Sequence, residues 1–155
     1  MRFWDSSALV TLLLNESDSS LVARALKDDP LMVIWWGTPV ECESAIRRGS
    51  REGKVPPNAV AGAQERLKAF EEDAVEIAPS PEVKSKARAL LAAHPLTAAD
   101  ALQLAAAVTW AAGTPAGHEF VTLDMQLADA TRHEGFIVSP ETKPWPGAVR
   151  RGAAD

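Results

Sequence analysis

At 155 residues, 46% hydrophobic and 24% charged, the chain is long enough to bury a core without disulfides or structural metal, and its composition excludes a disordered polymer. The net charge of −5 argues against indiscriminate binding to nucleic acid, which needs a broad basic face. A lone cysteine, Cys42, excludes an internal disulfide, no apolar run reaches the roughly 18 residues of a membrane span, and no signal-peptide pattern opens the chain, so a cytoplasmic domain is expected.

Residues 2–4, Arg-Phe-Trp, are too few and too apolar to open a helix and read as a strand ending on Asp5, and Asp5-Ser6-Ser7 offers oxygens to cap a helix over 7–14. Ser17 or Asp18 caps a second helix to about residue 27, with Leu21, Val22, Ala25 and Leu26 at helical spacing. Residues 31–36 are a continuous apolar run of strand length, as in a strand covered on both faces. Gly37-Thr38-Pro39 then turns the chain, with Thr38 as N-cap and Pro39 first in a helix that continues over 40–50. Gly53 and Pro56-Pro57 mark a loop, Asn58 opens a helix to about 72, and 74–78 is a short strand.

Ser80-Pro81-Glu82 starts a helix to about 92, and Thr97-Ala98-Ala99-Asp100 is a capping box opening an alanine-rich helix to 112. A strand at 119–122, a helix at 124–133 stopped by Gly135, and a strand at 136–138 follow, before a tail over 140–155 rich in proline. Five strands alternating with seven helices imply βαβ units: an α/β fold, one domain over 1–139, with a parallel sheet between two helical layers.

Four acids occupy one kind of position in this scheme. Asp5 ends the first strand, Glu41 and Asp100 lie in first turns of helices, and Asp124 follows the fourth strand at a helix start. Each also reads, singly, as a cap or as a first-turn charge favoured by the helix dipole. Helices that follow strands of a parallel sheet begin at the same sheet edge, however, so the four should converge. Two unit charges about 4 Å apart repel by ~4 kcal/mol at an effective dielectric of 20, and no basic residue adjoins any of the four in sequence. A hard divalent cation, Mg²⁺ or Mn²⁺, answers that charge, and such ions activate water and stabilise leaving oxygens in phosphodiester hydrolysis.

The same stretches carry a resemblance. Asp5-Ser6-Ser7-Ala8-Leu9, Val40-Glu41 with Ala45-Ile46-Arg47-Arg48, Leu96-Thr97-Ala98-Ala99-Asp100-Ala101-Leu102-Gln103, and Val121-Thr122-Leu123-Asp124 resemble, in order and spacing, the four motifs of PIN-domain ribonucleases of the VapC toxin type. The resemblance implies a five-stranded sheet of order 3-2-1-4-5 and a metal-dependent endoribonuclease that works as the toxin of a toxin-antitoxin pair. It further implies a VapB-like antitoxin, an RNA substrate and a homodimer. It assigns catalysis to Asp5, Glu41, Asp100 and Asp124, metal binding to Asp5, Asp100 and Asp124, and support to Ser6 and Thr122. Gln103, one turn after Asp100, stands where many members have His and is expected to support the site.

Arg47, Arg48 and Arg51, on the helix begun by Glu41, are candidates to contact RNA phosphates or an acidic antitoxin segment, and equally fit a solvated helix face. Glu43 is expected to pair with Arg47, four residues on. Cys42 reads as a small buried side chain, and His94, His118 and His133 lack ligand spacing. Trp4, Trp35 and Trp110 are expected in the core, Trp36 at a strand end near the site, and Trp145 against a partner or a base. The rival readings are a non-catalytic binding module with an acidic pocket, receiver-like, or a phosphatase.

Overall fold

The computed structural model describes residues 1–141, so most of the tail, with Lys143, Trp145, Arg150 and Arg151, lies outside the described residues. The chain runs β1 Arg2–Trp4, α1 Ser6–Leu14, α2 Ser19–Asp28, β2 Met32–Trp35, α3 Thr38–Arg51, α4 Pro57–Asp73, β3 Val75–Ile77, α5 Pro81–Ala93, α6 Ala98–Trp110, β4 Glu119–Val121, α7 Met125–His133 and β5 Ile137–Ser139. All pairings in the sheet are parallel, in the order β3-β2-β1-β4-β5. Arg2–Trp4, only three residues long, is therefore the centre of the sheet.

The period of two along each strand divides the core. Phe3, Val33, Trp35 and Phe120 face one helical layer, where they meet Val83, Leu90, Leu104 and Leu127 from α5, α6 and α7. Their neighbours Trp4, Met32, Ile34 and Val121 face the other, against Leu9, Leu13, Ile46 and Leu67 from α1, α3 and α4. The alanines of α6 at 101 and 105–107 are fully buried, and their small side chains let that helix lie close under the sheet and against α5. Trp4 and Trp35 are core residues as expected, while Trp110 is only partly buried.

Several boundaries differ from expectation for identifiable reasons. Gly37, not Thr38, precedes α3; Thr38 is its first helical residue, fully buried, and its hydroxyl is spent on Gln103 Oε1 at 3.1 Å. Helix α4 starts at Pro57 rather than Asn58, proline being suited to a first helical position, where no amide donor is needed. The last strand begins one residue late because α7 ends in a Schellman motif. Gly135, at φ +100°, donates to Arg132 O at 3.0 Å, and Phe136 N donates to Thr131 O at 3.2 Å. The Phe136 amide is thus used by the helix, and its ring goes into the core.

Phe120 stacks on Phe3 with ring centroids 5.1 Å apart and meets the edge of Phe136 at 5.9 Å. Phe120→Ala should therefore destabilise the fold by about 3–5 kcal/mol, read from the urea midpoint at unchanged slope. A loss below about 1 kcal/mol would show that this side of the core collapses around the cavity.

Candidate active site

The four acids come from four elements and line one open cleft of about 740 Å³ at the carboxyl edge of the sheet. Asp5 follows β1 and caps α1, Asp124 follows β4 and caps α7, Glu41 sits in the first turn of α3 and Asp100 in the first turn of α6. Capping and site position are not alternatives here. Each carboxylate uses one oxygen to hold its place and leaves the other without a strong protein partner.

Asp5 is the most enclosed, at 3% exposure. Its Oδ2 accepts from Ser7 N at 3.1 Å, from Ser7 Oγ at 2.5 Å and from Thr122 Oγ1 at 2.9 Å, whereas Oδ1 has only Ser6 Oγ at 3.5 Å. Glu41 Oε2 accepts from Ser6 Oγ at 2.8 Å and Gln103 Nε2 at 3.2 Å, with Oε1 left over. Asp124 Oδ1 accepts from Leu127 N at 2.7 Å. Asp100 Oδ2 accepts from the Thr97 hydroxyl at 2.6 Å, and that hydroxyl accepts from Asp100 N at 3.2 Å, so the expected capping box closes through the hydroxyl rather than the Thr97 amide.

Burial pushes the Asp5 carboxyl up from 3.8 to about 6; the bonds from Ser7 and Thr122 oppose this and the Glu41 charge adds to it. Burial, with the charges of Asp5 and Glu41, pushes the Cys42 thiol up as well, which leaves it protonated and inert.

The supporting residues are placed as expected in part. Thr122 bonds Asp5 directly, but Ser6 serves Glu41 more closely than Asp5. Gln103 is fully buried and held by Thr38, so that its amide N–H points at Glu41. Of the three arginines only Arg48 lines the cleft; Arg47 is paired with Glu43 at 2.6 Å, as expected of Glu43, and Arg51 is absent from the cleft wall. Trp36 is 53% exposed, packs edge-on against Trp35 and does not line the cleft. His94 is bonded to Glu134 at 2.7 Å, away from the cleft.

Sequence reasoning missed Ser7, Glu16 and Asp18. Ser7 gives Asp5 two of its three donors, and the doubled serine after Asp5 was the available signal. Glu16 and Asp18, from the turn between α1 and α2, line the same cleft, and no local pattern points them there.

Leftover carboxylate oxygens that make no ion pair with a cation among the described residues form a donor set suited to a hard, oxygen-seeking ion. Among the described residues, however, no three carboxylates, thiols or imidazoles are gathered closely enough to hold one ion between them. The set expected from Asp5, Asp100 and Asp124 is therefore not closed by direct ligands in this structure, and an ion here would keep much of its water, as Mg²⁺ commonly does.

No protein-family model and no curated protein sequence matches the chain. Solved structures do. A toxin-antitoxin complex from Klebsiella pneumoniae is 17% identical at a TM-score of 0.58, covering 81% of this chain and 88% of that one. VapC20 of Mycobacterium tuberculosis, a toxin that cleaves the sarcin-ricin loop, is 18% identical at 0.60, covering 84% and 95%. VapBC2 of Rickettsia felis, bound to a DNA fragment from its promoter, is 13% identical at 0.62, covering 88% and 96%. At these identities the likeness is one of fold, and the fold is the PIN-like α/β/α arrangement with sheet order 3-2-1-4-5.

The raised Asp5 pKa has a consequence for stability. The folded chain holds a proton that the unfolded chain releases near pH 4, so the folded state binds more protons between about pH 4 and 6 and loses stability as pH rises through that window. Without divalent ions, wild type should fall relative to Asp5→Asn by roughly 2 kcal/mol between pH 4 and 7. Urea midpoints of the two proteins across that range check this, and parallel curves would assign the shift elsewhere.

Proposed function

We propose that this chain is a Mg²⁺- or Mn²⁺-dependent endoribonuclease, the toxin of a type II toxin-antitoxin pair, acting in the cytoplasm as a homodimer restrained by a VapB-like antitoxin. The observation that carries the reading is the set of four carboxylates, each anchored by one oxygen and each offering the other to a common cleft. The fold likeness to a toxin that cleaves the sarcin-ricin loop and to two toxin-antitoxin complexes supports it.

In this reading Asp5, Asp100 and Asp124 hold the ion, directly or through its water shell. When bound there, the ion supplies Lewis acidity: it lowers the pKa of water and offsets charge on the leaving oxygen. The chain's own residues do the rest. Ser7 and Thr122 fix the Asp5 oxygen that faces inward, so its partner oxygen faces the cleft. Ser6 and Gln103 fix Glu41 beside it, where its free oxygen can orient the attacking water and take its proton.

The rivals fit less well. A receiver-like module has strand order 2-1-3-4-5, against 3-2-1-4-5 here. A phosphatase with a second aspartate two residues after the first would need an acid where Ser7 stands, and Ser7 is committed to Asp5.

Asp5→Asn and Asp100→Asn should each lower the rate of RNA cleavage by at least about a hundredfold while leaving the circular dichroism spectrum unchanged. Chelation by EDTA should abolish cleavage by wild type, and added Mg²⁺ or Mn²⁺ should restore it. Cleavage by either variant at the wild-type rate, or full activity in EDTA, would overturn the assignment.

A further inference from the structure

A second cleft of about 290 Å³ adjoins the acidic one and shares with it the wall formed by Val10, Glu16, Ala45 and Arg48. The two differ in charge. Six carboxylates face one guanidinium in the first; in the second, Arg48, Lys54 and Arg66 face only Glu16 and Glu52. A polyanion reacting at the first cleft is repelled along most of its rim and attracted at this junction.

Arg48 stands at that junction. It comes seven residues after Glu41 on α3, two turns on and on nearly the same face. Among the described residues no carboxylate lies within ion-pairing distance of it, and its charge reaches Glu52 only at longer range. Its neighbours are otherwise occupied or misplaced: Arg47 is paired with Glu43, which Gln64 also holds at 2.8 Å, and Arg51 lines neither cleft. Further along the second cleft, Arg66 uses one Nη2 hydrogen on Leu13 O and keeps its other donors, and Lys54 is paired with Glu52 at 2.6 Å but 76% exposed. Among the described residues no aromatic ring lines this cleft, so none of them stacks on bases there.

We propose that a single-stranded RNA cut at the acidic cleft runs on into the second cleft, with Arg48 gripping the phosphate next to the scissile one and Arg66 a later one. This rests on the ribonuclease reading for what happens at the acids, and adds the direction the strand takes and the residues that hold it. A track of guanidinium groups without ring partners reads the phosphate backbone and not the bases.

The test is fluorescence anisotropy of a labelled single-stranded RNA of mixed sequence, titrated with full-length Asp100→Asn protein in Mg²⁺ at several salt concentrations. Adding Arg48→Ala should weaken binding about fivefold and lower the slope of log affinity against log salt by about one, with Arg66→Ala lowering it further. Arg47→Ala should change neither. In cleavage assays on the otherwise native protein, Arg48→Ala should raise KM at nearly constant kcat. The proposal is overturned if Arg48→Ala binds RNA with wild-type affinity and slope, if Arg47→Ala loses as much, or if Arg48→Ala lowers kcat at constant KM. It is also overturned if Arg48→Ala leaves RNA binding intact but abolishes binding of a protein partner. Binding that follows this pattern in a protein that fails to cleave would uphold the track and reject the ribonuclease reading.

Discussion

The carboxylate of Asp5 is the constraint on which the rest of this edge depends. It is buried at the end of the central strand, and its inward oxygen takes three hydrogen bonds from Ser7 and Thr122. Those two hydroxyls also accept from the chain beyond β4: Ser7 Oγ from Leu123 N at 3.0 Å and Thr122 Oγ1 from Asp124 N at 3.1 Å. With Asp5 N bonded to Val121 O at 3.0 Å, the ends of β1 and β4 are locked together. The position of Asp124 is thereby set by the same groups that hold Asp5, and two of the four acids move as one unit.

Glu41 is tied in from the other flank. Thr38 donates to Gln103, Gln103 donates to Glu41, and Ser6 donates to the same Glu41 oxygen, so α3, α6 and α1 meet through one chain of polar groups, buried at Thr38 and Gln103 and partly exposed at Glu41 and Ser6. An unmatched amide at a fully buried position would cost a few kcal/mol, which makes such a chain strongly selective for one arrangement. It also registers α6 against α3. Asp100, on the first turn of α6, depends on that register because its own side chain is held only by Thr97.

Much of this was legible in the sequence because the signals are local. The short strand at Arg2–Trp4 ending on Asp5, the continuous apolar strand at Met32–Trp35 and the caps at Ser80 and Thr97 each state their own environment. The convergence of Asp5, Glu41 and Asp124 followed from topology, since every parallel strand delivers its successor helix to the same edge, whereas Asp100 opens α6, which follows α5 rather than a strand. What stayed hidden depends on tertiary partners. Thr38 reads as a cap until Gln103 is known to sit across from it, Phe136 reads as strand until its amide is claimed by the turn of α7, and, once the four-residue spacing has paired Arg47 with Glu43, Arg48 and Arg51 look equivalent until the wall of the cleft takes the first.

The division of each carboxylate into a held oxygen and an offered one separates two tasks that compete for the same side chains. Protein donors fix position, so the acids are ordered without any ion, but none of those donors is a cation, so the mutual repulsion is left unanswered. Burial and the Glu41 charge both act against ionisation of Asp5, which means that the ordered ion-free site is a source of instability at neutral pH. A cluster optimised for stability would have placed a lysine or arginine among the acids. Here the cleft's one guanidinium, Arg48, stands seven residues along α3 from Glu41 and outside ion-pairing distance of any carboxylate among the described residues. On the proposed reading, the negative charge is concentrated where an ion and a phosphate would use it, and the positive charge stands where the rest of a strand would pass.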